Sequence, residues 1–488
     1  MSPYNGRRIR VFVGRQKEMA ALGRLYARED FQFVVMYGRR RVGKTTLLNE
    51  FVKDKPALFF SAPQHDDAGA LRVFSERLHS FLGQGGLSPF ATWAAAFEQL
   101  AKAAEDRRFV LIIDEFPYLA NANRSIPSLL QNAIDRRLKD GRLFLVLCGS
   151  SLGFMERGVL SAKSPLYGRA TAQLRITPFD FATAADFYPQ YRFESKMTAF
   201  GVLGGIPKYL ETFVDTEPVE NNIVDHILND RSLLYEEPMN FLREELREPA
   251  TYNAIIEAIA GGASKLNEIA TKAGLPTDKC AKYLRTLISL HVVQREMPVI
   301  GQNRKNGIYR ICDNFFTFWY RYVFENADMV ERGDGQGLYD LFVRPDLDNY
   351  IGATVFEGIC QEYLWGLNAR RKLPFVFSRA GRWWGNDPRR REQSEIDIIA
   401  FHKRQALFCE CKWRTEKLGL DVLETLRERA GLFPDFSEKH LYLFSRSGFT
   451  KGLRDHVSQL DSAEVTLVGL EDLENVLLDT DEGSQRST

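Results

Sequence analysis

Hydrophobic residues change rhythm several times along the chain. Phe33-Val34-Val35-Met36, Ala57-Leu58-Phe59-Phe60, Phe109-Val110-Leu111-Ile112-Ile113 and Leu143-Phe144-Leu145-Val146-Leu147-Cys148 are short unbroken apolar runs. Runs of this length without alternation predict strands buried on both faces, as in a parallel sheet flanked by helices. From Thr177 to about Glu245 the periodicity turns helical. Residues 250–312 then predict three short helices: Tyr252–Ala260, one starting near Ser264 and stopped by Gly274, and Asp278–Leu290, capped by Thr277. Cys280, Leu284, Leu287 and Ile288 form the buried stripe of the third. Val292–Glu296 and Gly307–Ile311 predict a two-stranded wing. The aromatic stretch Phe315–Phe324 predicts a helix docking two domains, and Tyr350–Leu364 a further amphipathic helix. Last, Glu395–Phe401 and Ala406–Lys412 predict a hairpin around a four-residue loop, His402–Gln405, with Phe401 opposite Ala406.

At 488 residues the chain is too long for one core. The changes of rhythm divide it into an α/β parallel-sheet core at 1–176, a helical lid at 177–248, a three-helix-plus-wing module at 249–312, a helical linker at 313–345, an α/β domain at 346–478 and a polar tail, predicted to be disordered, at 479–488. The net charge of +1 requires any nucleic-acid surface to be a local patch. The six cysteines form no C-x-x-C and lie mostly in apolar runs, which predicts reduced core thiols of a cytoplasmic protein. No run is long enough to span a membrane.

The chemistry begins where the first strand ends. Gly38-Arg39-Arg40-Arg41-Val42-Gly43-Lys44-Thr45-Thr46 is G-x-x-x-x-G-K-T between a strand and a helix, a pattern in which glycines let backbone N–H groups wrap phosphate. Lys44 would reach the β- and γ-phosphates of ATP, Thr45 would offer its hydroxyl to Mg²⁺, and the helix would aim its positive end at the anion. Asp114 and Glu115 end the third apolar run; Asp114 would hold Mg²⁺ through water, and Glu115 would polarise the attacking water. After the fourth run, Ser150 or Ser151 would either sense the γ-phosphate or cap a helix. Arg169, in Tyr167-Gly168-Arg169, is the candidate to neutralise charge on the transferring phosphate, for its own subunit or for a neighbour's.

Taken together, Val13-Gly14-Arg15, the Gly38–Thr46 loop, Ile112-Ile113-Asp114-Glu115-Phe116, Gly149-Ser150-Ser151, Tyr167-Gly168-Arg169 and Gly204-Gly205-Ile206-Pro207 resemble the archaeal-type ATPase family, near the STAND and origin-recognition branches of AAA+. The resemblance implies that Arg15 lies near the adenine, and that Gly205 and Pro207 form an element that contacts nucleotide and moves the lid. A homo-oligomer is compatible with it.

Two further modules carry candidate chemistry. Residues 249–312 resemble a winged helix; Lys279, Lys282 and Arg285 on the third helix, with Arg304 and Lys305 at the wing tip, suit phosphate contacts, and DNA is the favoured partner. In the late hairpin, Asp397 falls opposite Glu410 and Glu395 opposite Lys412, all four charges on one face. Ile396, Ile398, Cys409 and Cys411 take the other face, to be covered by a helix at Leu420–Leu432. Aspartate followed by Glu-x-Lys, with Glu357 on an upstream helix, resembles the PD-(D/E)xK nuclease superfamily, with a restriction-endonuclease-like fold. That resemblance implies Mg²⁺ on Asp397 and Glu410, helped by the Cys411 carbonyl and Glu357, with Lys412 acting on the attacking water. The whole then reads as an ATP-driven switch controlling a nuclease-like domain, or as a nucleotide-gated binding module whose nuclease fold is silent.

Overall fold

The apolar runs become strands of two separate sheets. Residues 12–64, 66–301, 307–388, 390–461 and 464–478 are described by a computed structural model. The chain forms two compact units: one runs to Pro178 and also takes in Ile206–Lys208, while the other comprises Phe179–Gly205 and the chain from Tyr209 onward.

In the first unit, β1 (Gln32–Tyr37), β2 (Ala57–Ser61), β3 (Val110–Asp114), β4 (Phe144–Gly149) and β5 (Ala172–Arg175) form a sheet in the order β2-β3-β4-β1-β5, every pair parallel. β3 and β4 are buried along their whole length, as continuous apolar runs require. Phe33, Phe60, Leu111 and Leu145 pack in one core with Phe74, Phe97 and Leu130 of three flanking helices. Two of those helices begin with side-chain caps, Asp66 accepting from Gly69 N and Thr92 from Ala95 N. This topology brings the carboxyl ends of β1, β4 and β3 side by side.

The second unit begins with short helices, among them Phe181–Ala185, Phe193–Leu203, Val219–His226 and Glu237–Glu245. Helices Pro249–Ala260, Leu266–Lys272 and Thr277–Ser289 follow, then the antiparallel hairpin β6 (Val293–Glu296) and β7 (Ile308–Ile311). Pro276 precedes the third helix, so Thr277 is its first residue and not its cap; Tyr283 joins the buried stripe, where Ile288 is only half-buried. Arg304, Lys305 and the 479–488 tail lie outside the described residues. The aromatic stretch is a helix over Asn314–Phe318 continuing as a wider turn at Trp319–Val323, almost wholly buried. Trp319 Nε1 donates to Tyr235 O at 2.7 Å and Tyr320 OH to Asn253 Oδ1 at 2.7 Å, so the stretch is core shared by the modules around it.

The late sheet has the order β12-β11-β10-β9-β8, from β8 (Arg379–Asp387), β9 (Glu392–His402), β10 (Gln405–Lys412), β11 (Glu438–Ser445) and β12 (Val465–Val468). β8, β9 and β10 are antiparallel; β10, β11 and β12 are parallel. Phe401 pairs with Ala406 as expected, but His402 also pairs with Gln405, which shortens the loop to Lys403-Arg404. Lys403 takes the left-handed φ of 52° that a tight hairpin turn needs. Helix Leu420–Ala430 also differs from expectation. It packs on Ile399, Ala406 and Phe408, the face that carries Glu410, while Cys411 meets Cys360 of helix Glu357–Ala369. β10 is a central strand and needs cover on both faces, which a two-stranded reading could not foresee.

Candidate functional site

The loop between β1 and helix Lys44–Phe51 is built around two glycines with different tasks. A Cβ on Gly38 would sit 2.3 Å from Ile176 O, so this glycine exists to let β1 pass close to the segment after β5. Gly43 instead holds φ 90°, a conformation that releases the loop into the helix, and a Cβ there would meet Pro207 Cγ at 3.6 Å. Lys44, buried, donates to Gly38 O at 2.8 Å and Arg39 O at 3.0 Å. Its neighbour Thr45 donates to Asp114 Oδ2 at 3.0 Å. Glu115, at φ 51°, accepts from Ser150 Oγ at 2.8 Å. Ser151, at the start of the next turn, makes no side-chain cap.

The fit to a nucleotide rests on these observations. A buried ammonium lies on neutral loop carbonyls, a hydroxyl–carboxylate pair stands beside it, and a helix N-terminus opens at the same place. Of the loop arginines, Arg40 donates to Tyr118 OH at 2.6 Å, Arg39 is buried, and Arg41 holds φ 65°. Val42 is fully buried, and Thr46 is exposed in the first helical turn.

Arg15 is bonded to the loop itself. Its guanidinium donates to Val42 O at 2.9 Å and Thr177 O at 2.7 Å and pairs with Glu18 at 3.2 Å, bracing the phosphate loop. Arg169 grips Asp135 through two bonds of 2.8 and 2.7 Å. Gly205 is a packing glycine: its O accepts from Phe179 N at 2.7 Å, and a Cβ would lie 1.9 Å from Phe179 O.

In the second unit, Asp397 and Glu410 are both buried and converge on one ammonium. Lys412 Nζ lies 2.6 Å from Glu410 Oε1 and 3.7 Å from Asp397 Oδ2. Cys411 N donates to Asp397 Oδ2 at 2.7 Å, and Arg429 donates to both Glu410 oxygens at 3.1 and 3.3 Å. Glu395 pairs with Arg382 at 2.8 Å, correcting the expected partnership with Lys412. Burial, and then the nearby Glu410, raise the Asp397 carboxyl above its usual range. Burial opposes the charge on Lys412, but Asp397 and Glu410 outweigh it and raise that ammonium's pKa. Glu357 is pushed up to about 7, first by burial and then by Asp397.

Without a cation, the carboxylates of this set are partnered by the protein's own donors. Glu410 is already bonded to two cationic side chains, and the backbone of residue 411 donates to Asp397 through its N–H. Among the described residues no group of three or more His, Cys, Asp or Glu side chains could hold a metal, so Glu357 does not complete a ligand set.

Comparison with known proteins agrees with the first unit's geometry. The sequence model of a family described as an ATPase domain predominantly from Archaea matches residues 12–213. Over 427 residues the chain is 35% identical to "Uncharacterized protein MJECL04" of Methanocaldococcus jannaschii, covering 86% of this chain and 91% of that one. The chain belongs to this archaeal-type P-loop ATPase family. A second family, described as archaeal and bacterial proteins of unknown function, matches residues 319–424. Among solved structures, the Walker-type ATPase paby2304 of Pyrococcus abyssi is 20% identical with a TM-score of 0.48, covering 64% of this chain and 96% of that one. The Aeropyrum pernix ORC2 protein, in ADPNP–ADP complexes, is 15% identical with a TM-score of 0.39, covering 68% and 97%.

Membership of this family supports ATP binding and hydrolysis by the chain. Two contributors were missed by motif reading. Tyr118, on helix Phe116–Ala122, holds Arg40, and Arg429, on helix Leu420–Ala430, neutralises Glu410; neither belongs to a recognisable pattern. No helix among the described residues is long and apolar enough to cross a membrane.

Proposed function

We propose that the protein is an ATP-driven switch that binds DNA through residues 249–312, a winged helix, and that its restriction-endonuclease-like domain serves as a binding scaffold. The observation that carries the ATPase half is the alignment of Lys44-Thr45, Ser150 and Asp114-Glu115 at the ends of three neighbouring parallel strands. Bound Mg·ATP supplies the transferable phosphoryl group and the cation that offsets its charge. Lys44 leaves its loop carbonyls for phosphate oxygens; Thr45 and Asp114 form the cation's seat. Glu115 is the base that polarises water, and the Ser150 hydroxyl orients it by holding one of its two oxygens, Oε2. Arg169 reaches phosphate, in its own or a neighbouring copy, only after releasing Asp135. Arg15 and Pro207 hold the loop's shape.

Lys279, Lys282 and Arg285 are exposed on helix Thr277–Ser289, as phosphate contacts require. The scaffold reading of the late domain is favoured by Lys412 and Arg429 on Glu410. A metal-dependent nuclease remains the second reading, favoured by the convergence of Asp397, Glu410 and Lys412. One assay separates them: labelled DNA and RNA are incubated with Mg²⁺, with and without ATP, for wild type, Lys44→Ala and Asp397→Ala. The proposal expects ATP turnover that Lys44→Ala abolishes and no cleavage by any form. Cleavage by wild type that disappears in Asp397→Ala would overturn the scaffold.

A further inference from the structure

A cleft of about 610 Å³ lies between the β6–β7 hairpin and edge strand β8, floored by helix Glu357–Ala369. The hairpin is tied to the strand: Val299 N donates to Arg382 O at 2.9 Å, and an Arg379 guanidinium nitrogen donates to Val299 O at 2.9 Å. The cleft is lined by Arg295, Arg310, Arg379 and Arg382 together with Glu296, Glu357 and Asp397. Arg310 pairs with Glu296 at 3.3 Å and Arg382 with Glu395 at 2.8 Å. Arg379, which is exposed, has the neutral partners Val299 O and the Phe401 ring, 5.2 Å away. Arg295, also exposed, lies over the Tyr309 ring at 5.7 Å.

Trp365 belongs to the same cleft and is 42% exposed, on a helix whose other large apolar residues are buried. Phe377 holds it edge-on, with ring centroids 4.6 Å apart, which fixes the indole and leaves surface open. The indole is thus packed on one side and leaves part of its apolar surface to solvent. Beside exposed arginines it has the makings of a stacking platform, since grooves for single strands combine aromatic faces for bases with cations for the backbone. A duplex keeps its bases stacked inward and could not use it.

We infer that this cleft binds an unpaired strand of nucleic acid, with a base stacked on Trp365 and a backbone phosphate held by Arg379. The inference rests on the nucleic-acid reading above and adds a second, strand-selective site to the duplex-binding helix. It uses no metal and no bond cleavage.

The test is fluorescence anisotropy on the full chain with a labelled oligothymidine and a labelled hairpin duplex, in chelator, with ATP turnover as the folding control. Trp365→Ala and Arg379→Gln weaken single-strand binding at least about fivefold, the scale of one lost stacking or phosphate contact, and Trp365→Phe restores most of it. Lys279→Ala combined with Lys282→Ala weakens duplex binding and leaves the oligothymidine within about twofold. Should Trp365→Ala fail the folding control, photocrosslinking of wild type to an iodouracil strand replaces it, with adducts expected on Trp365 or residues 294–297. Single-strand binding that ignores both cleft substitutions, adducts elsewhere, or a wild type that binds only duplex overturns the cleft alone. A wild type that binds neither strand form overturns the nucleic-acid reading and the cleft with it.

Discussion

Thr45 and Asp114 are 69 residues apart in sequence and 3.0 Å apart in space, and both were legible because each is fixed by its distance from a strand end. Glu115 was legible for the same reason, but its bond to Ser150 was not. The sequence allows Ser150 or Ser151, sensor or cap, and only the position of β4 beside β3 puts the Ser150 hydroxyl on Glu115. Glu115→Gln keeps the hydrogen bond and the volume but removes the base. The expected outcome is ATP binding within about threefold of wild type and turnover lowered by about a hundredfold or more, measured by nucleotide-binding titration and steady-state phosphate release. A variant that turns over at the wild-type rate would remove Glu115 from the reaction. Arg15 shows the opposite case. Its acceptors are the backbone oxygens of residues 42 and 177, which carry no side-chain signal, so a resemblance that places Arg15 near the adenine does not reveal these bonds.

Whole elements were read more accurately than their surroundings. The buried strands of the first sheet, the three helices before the wing and the Phe401–Ala406 register all follow from periodicity and turn residues. The side of β10 taken by helix Leu420–Ala430 does not, because it depends on β11 and on helix Glu357–Ala369 filling the remaining edge and face. Glycine roles also depend on neighbours far away in sequence. Gly205 looks like a helix-opening glycine, yet its constraint is the Phe179 carbonyl. Gly205→Ala should therefore lower stability by about 1–3 kcal/mol, the scale of an overpacked site, read as a fall in thermal midpoint. Gly83→Ala is the contrast: it meets nothing within 4 Å and bears only the strain of φ 72°. Equal midpoints for Gly205→Ala and wild type would show that the backbone there can yield.

On the scale of the whole molecule, Glu362 is the group whose protonation should be felt furthest. It sits on helix Glu357–Ala369 and accepts from Phe181 N at 3.1 Å. Burial, reinforced by Asp180, pushes its carboxyl up to about 8. The native state therefore keeps a proton that an unfolded chain has shed above its ordinary value of 4.5, and stability falls as pH rises between the two. Glu362→Gln should flatten the fall in thermal midpoint between about pH 5 and pH 9 and leave the variant the more stable form at the alkaline end. Melting curves of equal slope would remove Glu362 as the source.

The domain boundary drawn near residue 346 has a practical cost that follows from the same ties. Tyr350 OH donates to Gly201 O at 2.8 Å, Arg446 pairs with Glu194 at 2.8 Å while stacking 4.8 Å over Trp413, and Glu362 caps the Phe181 amide. A shortened polypeptide starting at that boundary would lose every one of those upstream partners at once. It would leave a tyrosine hydroxyl and a carboxylate facing water they were never shaped to meet, and would loosen the tryptophan next to Lys412. Silence from such a fragment in any assay would report on the cut, not on the chemistry of Asp397.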